Sequence, residues 1–122
     1  MSTASVKKET VGTVVVLRFK GKMTIGVGDV LLREAVREEL AKGSRNIVLD
    51  LSELSTIDST GVGELVSAFT SVTSQGGKFK LVGGPQKLED VLQITQLITV
   101  FDVYSDAREA VEAFREEAHQ AS

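Results

Sequence analysis

The sequence predicts an α/β domain: a mixed β-sheet with helices packed against it, in the order β-β-α-β-α-β-α-β-α. Three observations carry this expectation. Short β-branched runs, such as Val14-Val15-Val16-Leu17 and the NIVLDL stretch from Asn46 to Leu51, alternate with segments whose apolar residues recur at helical spacing. The first two runs are separated by little more than Val11-Gly12, the signature of a hairpin, which puts one antiparallel pair into the sheet. The NIVLDL burst lacks polar alternation, as expected of a strand covered on both faces. At 122 residues the chain has the size of one domain. Residues 1–122 are therefore expected to form a single domain, with an ordered core over about 5–117 and frayed ends.

The elements follow in order. Val6 to Thr10 reads as the first strand and the run from Val14 to about Lys20 as the second. Leu31, Leu32, Ala35, Val36 and Leu40 form a helical stripe between Gly28 and Lys42, with Gly43 placed to end it. After NIVLDL comes a helix with Val62, Leu65, Val66, Phe69 and Val72 on one side, broken at Gln75-Gly76-Gly77. Phe79, Leu81 and Val82 mark a strand. Pro85 then opens a helix with Leu88, Val91 and Leu92 inward. Val100 to Val103 reads as the last strand. Ser105 is the expected N-cap of a final helix carrying Ala107, Ala110, Val111 and Phe114 on one side.

Composition excludes much chemistry. With no cysteine, thiolate metal sites, disulfides and a cysteine nucleophile are absent. The single histidine, His119, sits in a polar tail, which argues against a histidine metal site or a Ser–His–Asp triad; no metal or other cofactor is expected. Fourteen basic and seventeen acidic residues give a net charge of -3 with no basic block, so neither nucleic acid nor an anionic membrane is an expected partner. No apolar run approaches a membrane span and no signal-peptide pattern opens the chain, so a cytoplasmic location is expected.

The unusual stretch is Leu54-Ser55-Thr56-Ile57-Asp58-Ser59-Thr60-Gly61-Val62-Gly63, between the most apolar strand and a strongly amphipathic helix. Two hydroxyls and a carboxylate fall at a helix N-terminus, where unpaired N–H groups and the helix dipole favour negative charge. Such a place can hold a phosphate. From the residues alone, that phosphate belongs equally to a ligand or to Ser59 itself. The plainer reading makes Ser59 or Thr60 an ordinary N-cap and the glycines packing residues. A nucleotide-binding loop fits less well, because the third glycine and a Walker lysine are missing; a hydrolase elbow lacks both its spacing and a base.

Asp58-Ser59-Thr60-Gly61-Val62-Gly63, in this strand-to-helix setting, resembles the phosphorylation motif of STAS domains, and more narrowly of stand-alone bacterial anti-sigma factor antagonists. The resemblance extends to Phe19-Lys20-Gly21, to Gln75-Gly76-Gly77 and to the segment from Leu88 to Leu97. It implies a STAS-like domain that is not an enzyme. In its unphosphorylated form such a protein binds a partner that is both anti-sigma factor and serine protein kinase, releasing the sigma factor; a PP2C-type phosphatase reverses the modification. It further implies Ser59 as phosphoacceptor, and Asp58, Ser59, Thr60, Gly61, Val62, Gly63 and Thr24 as the partner-binding residues. One departure stands out: the family's acidic pair after its second strand, in a Gly-Glu-x-Asp pattern, is here Gly21-Lys22-Met23-Thr24. This loop has either drifted or selects a different partner. The rival readings are a phosphorylation-independent STAS subunit of a transport or scaffold complex, and a small phosphate- or nucleotide-binding enzyme.

Overall fold

The computed structural model describes residues 4–121. Strand β1 (Ala4–Val11) pairs antiparallel with β2 (Val14–Met23) across a tight turn, where Gly12 takes the left-handed conformation that a two-residue hairpin demands. Helix α1 (Gly28–Ala41) leads to β3 (Asn46–Ile57), and α2 (Ser59–Ser74) to β4 (Lys78–Val82). Helix α3 (Gln86–Ile94), a 3-10 turn (Leu97–Thr99), β5 (Asp102–Tyr104) and α4 (Ala107–Ala121) complete the chain. The sheet order is β1-β2-β3-β4-β5, with every pair after the first parallel, so the mixed α/β sheet is as the sequence indicates.

Strand alternation divides the apolar side chains into two cores. Val15, Leu17, Phe19, Ile47, Leu49, Leu51, Phe79 and Leu81 face α1, α2 and α3 and build the larger one, together with Leu32, Val36, Leu65, Val72 and Leu88 from the helices. Val14, Val16, Val48 and Val82 point the other way, under Ala110 and Phe114 of α4. At roughly 25 cal/mol per Å2 of apolar surface, burial of this kind supplies the main drive for folding.

Several boundaries differ from the sequence reading, each for a physical reason. β2 runs to Met23 and β3 to Ile57, because their far ends pair with each other (Lys22 with Thr56, Met23 with Ile57) beyond two register shifts. Gly21, Lys22 and Met23 are therefore strand residues, with Met23 fully buried, and the loop proper is Thr24 to Val27. Val100 belongs to a turn after an unforeseen 3-10 segment, and the last strand is Asp102–Tyr104. The N-cap bond of α4 comes from Asp106, whose Oδ1 accepts the Glu109 N–H at 2.9 Å; the Ser105 hydroxyl instead donates to the Glu109 carboxylate at 2.8 Å. The ordered elements also reach beyond the expected 5–117: Ala4 is buried in β1, and residues 118–121 continue α4, while residues 1–3 and 122 lie outside the described residues.

One side chain escapes any polarity pattern. Lys80 of β4 is 1% exposed beneath α4, between the Tyr104 and Phe114 rings, with its Nζ 3.0 Å from Asp102 and 2.8 Å from Glu117. Burial pulls the pKa of this ammonium down, but hydrogen bonds to Glu117, Asp102 and Tyr104 outweigh it, and the pKa stands above the ordinary lysine value. Glu117 thus supplies a carboxylate on the same inward face of α4 that carries Ala110 and Phe114.

Candidate functional site

The N-terminus of α2 is built around Asp58. The backbone leaves β3 extended at this residue (φ -106°, ψ -177°) and enters the helix at Ser59. Asp58 Oδ1 accepts the Gly61 N–H at 2.8 Å and caps the helix. Asp58 Oδ2 accepts the Ile25 N–H at 3.0 Å, fastening the β2–α1 loop to the start of α2. The bonds from Gly61 and Ile25 favour the ionised form and hold the carboxyl below its ordinary pKa. The cap is thus neither Ser59 nor Thr60. Ser59 occupies the first helical position, exposed, and its hydroxyl makes no hydrogen bond with any described residue. Thr60 behind it is half-buried.

Gly61 is a close-approach residue. A Cβ here would lie 2.1 Å from the Met23 carbonyl oxygen and 2.7 Å from Ile57 Cγ1. Gly63 differs: a Cβ there would meet nothing within 4 Å, and its φ is not positive, so this chain places no steric demand for glycine at that position. Thr24 is half-buried at the start of the loop, its carbonyl accepting the Asp29 N–H at 3.2 Å, one residue from the Ile25 anchor. The loop is pinned from the other side by buried Asp29, whose Oδ1 accepts the Gly26 N–H at 2.8 Å. This bracing leaves Ile25 73% and Val27 55% exposed.

Beside Ser59 runs a groove of about 310 Å3, bounded by Ile57, Asp58 and Val62 on one side and by Lys87, Val91 and Thr95 of α3 on the other. The α3 contribution was not foreseen, since nothing local in the QKLEDVLQI segment signals that it stands beside residue 59. Ile25 and Val27 were also missed; two β-branched residues in a glycine-containing loop were the available signal. A larger cleft, about 700 Å3, lies elsewhere, between β1, β2 and α4. There Arg18, Arg108 and Arg115 are matched by Glu9, Asp106 and Glu112, so it favours neither sign of charge. His119 lies on the exposed last turn of α4, and no metal-ligand cluster occurs among the described residues.

Because the folded-state pKa of Asp58 is depressed, its contribution to stability is complete above the unfolded value of about 4 and is lost as pH falls below that through the depressed folded-state value. Asp58→Asn can still accept from Gly61, but its amide nitrogen cannot accept from Ile25. We expect thermal melts to place the variant below the wild type at pH 7, with the gap closing as pH falls below about 4. A gap that stayed constant over that range would remove the carboxylate from this role.

A protein of this fold and site is recognisable by comparison. The STAS domain model matches residues 5–110, and the chain belongs to the STAS family. It is 34% identical over 105 residues to a "putative anti-sigma factor antagonist" of Thermotoga maritima, covering 86% of this chain and 93% of that protein. The crystal structure of a "putative anti-sigma factor antagonist" from Thermotoga maritima superposes with a TM-score of 0.80 over 90% of this chain and 94% of the other, at 33% identity. The anti-sigma-B factor antagonist of Bacillus subtilis is 31% identical over 87 residues, or 69% of this chain and 80% of that one. SpoIIAA of Bacillus, at 20% identity, shares the fold in both its unphosphorylated and its phosphorylated form, each with a TM-score of 0.72, over 91% and 90% of this chain and 98% and 99% of theirs. These relatives are regulatory binding proteins rather than enzymes. Among the described residues, no helix is long and apolar enough to cross a membrane.

Proposed function

We propose that this chain is an anti-sigma factor antagonist controlled by phosphorylation of Ser59. In the unmodified state it binds an anti-sigma factor that is also a serine kinase, through the start of α2 and the β2–α1 loop, and so frees the sigma factor. Phosphorylation of Ser59 ends that interaction, and a PP2C-type phosphatase restores it. Residues Asp58, Ser59, Thr60, Gly61, Val62, Gly63 and Thr24 carry the interface, with exposed Ile25 and Val27 adding apolar area beside them.

One observation carries this reading: Asp58 does the capping, which leaves the Ser59 hydroxyl exposed and uncommitted at a helix N-terminus. A capping serine would have its oxygen engaged by the backbone and would have to break the helix start to react. At the first helical position the hydroxyl can enter a kinase while α2 stays formed, and the dipole favours the phosphate that results. Gly63, one turn further along the same face, presents no side chain to an approaching partner.

The experiment is phosphorylation with the cognate kinase and ATP, followed by peptide mass spectrometry. One phosphoryl group is expected on Ser59, with none on half-buried Thr60. Ser59→Ala should abolish incorporation. Label on Thr60, or on a distant serine such as Ser105, overturns the assignment.

A further inference from the structure

The groove beside Ser59 contains a charge that partner binding does not explain. Lys87, in the first turn of α3, lines it together with Ser59, Val62 and Val91. The Lys87 ammonium makes no hydrogen bond or ion pair with any described residue. The other charged side chain lining the groove, Asp58, has both carboxylate oxygens occupied by backbone N–H groups. One wall therefore presents an ammonium that is paired with no carboxylate, the Asp58 charge being held by the backbone on the other side. The opposite wall carries Ser59, whose hydroxyl is exposed and uncommitted at the start of α2. Between the two lie the apolar side chains of Val62 and Val91.

We propose that Lys87 is the intramolecular receptor of the phosphoryl group on Ser59, drawing it across the mouth of the groove. This inference rests on Ser59 being the acceptor. A phosphoserine dianion at the start of α2 has two sources of compensation, the helix N–H groups and the lysine point charge that lines the same groove. Held by Lys87, the phosphate covers the strip formed by Val62 and Val91. Phosphorylation then changes the surface twice, by adding charge and by closing an apolar groove. Lys87 acts as a positioning residue for the modified serine and has no part in its phosphorylation.

The test installs phosphoserine at position 59 during synthesis, so that no kinase is needed, and follows the second phosphate ionisation by 31P NMR. Unperturbed, this ionisation lies near pH 6. An ammonium about 5 Å away through solvent lowers it by about 0.5 unit. Lys87→Gln is expected to raise the midpoint by about that amount and Lys87→Arg to restore it. Lys22→Gln, removing an exposed lysine of β2 that does not line the groove, should leave it unchanged. A Lys87→Gln titration that overlays the wild type overturns the proposal, as does an equal shift from Lys22→Gln. Because the phosphate is built in, a chain that titrates as expected but is never labelled by a kinase would count against the acceptor assignment alone.

Discussion

Gly61→Ala is expected to lower the melting temperature by roughly 10–15 °C, whereas Gly63→Ala, two residues on, should raise it by a few degrees. Intrinsic helix propensity favours alanine at both positions, by up to about 1 kcal/mol. At Gly63 nothing opposes that gain, because the new methyl group meets no atom within 4 Å. At Gly61 the methyl would sit 2.1 Å from the Met23 carbonyl oxygen, a backbone atom paired into the far end of the sheet and unable to swing aside as a side chain would. Relief requires α2 to move away from β2. That movement lengthens the Gly61 bond to Asp58 and loosens the Ile25 anchor that depends on the same carboxylate. We estimate the cost at about 3 kcal/mol, the upper end for overpacking. Thermal melts of the two variants decide the matter, and changes of the same sign would show that the close approach of α2 to β2 does not constrain the fold.

The same region shows what local sequence could and could not reveal. Strand and helix identities follow from periodicity because the apolar positions face two distinct cores, and each pattern repeats at the period its element imposes. The break at Gly76 and the hairpin at Gly12 are legible for a similar reason, since each requires a positive φ. The caps were misread at both α2 and α4. Serine and aspartate stand side by side at each, and aspartate takes the role at both. Its ionised oxygens accept stronger hydrogen bonds than a hydroxyl does, and at Asp58 they take two N–H groups at once. Burial of Lys80 and the placement of Lys87 beside Ser59 are products of tertiary packing, to which no window of sequence is sensitive. The strand-to-helix motif was readable from local sequence, while the residues that α3 and the β2–α1 loop bring beside it were not.

Phosphorylation of Ser59 is expected to weaken partner binding roughly a hundredfold while leaving the domain folded, with melting temperatures of the two forms within a few degrees. Within the isolated domain the added charge of about -1.5 to -2 meets compensation. The α2 dipole favours an anion by roughly 0.3–1 kcal/mol, and the neighbouring Asp58 carboxylate is already satisfied by Gly61 and Ile25. In a complex the balance changes. A partner that covers Ile25 and Val27 must also approach Ser59 and would strip water from the phosphate without replacing its hydrogen bonds. A loss of about 3 kcal/mol is modest for such an uncompensated anion and corresponds to roughly a hundredfold in affinity. Ser59→Glu should reproduce only part of the loss, since a carboxylate carries less charge and fewer acceptors. Raising the salt concentration should narrow the difference between the two forms without erasing it, because screening acts on the exposed charge and not on the lost hydration. The measurement is paired: melts of both phosphoforms, and their affinities for the anti-sigma partner captured from the native cell. Equal affinities, or a phosphoform that melts far lower, would show that the switch works by some route other than interface repulsion.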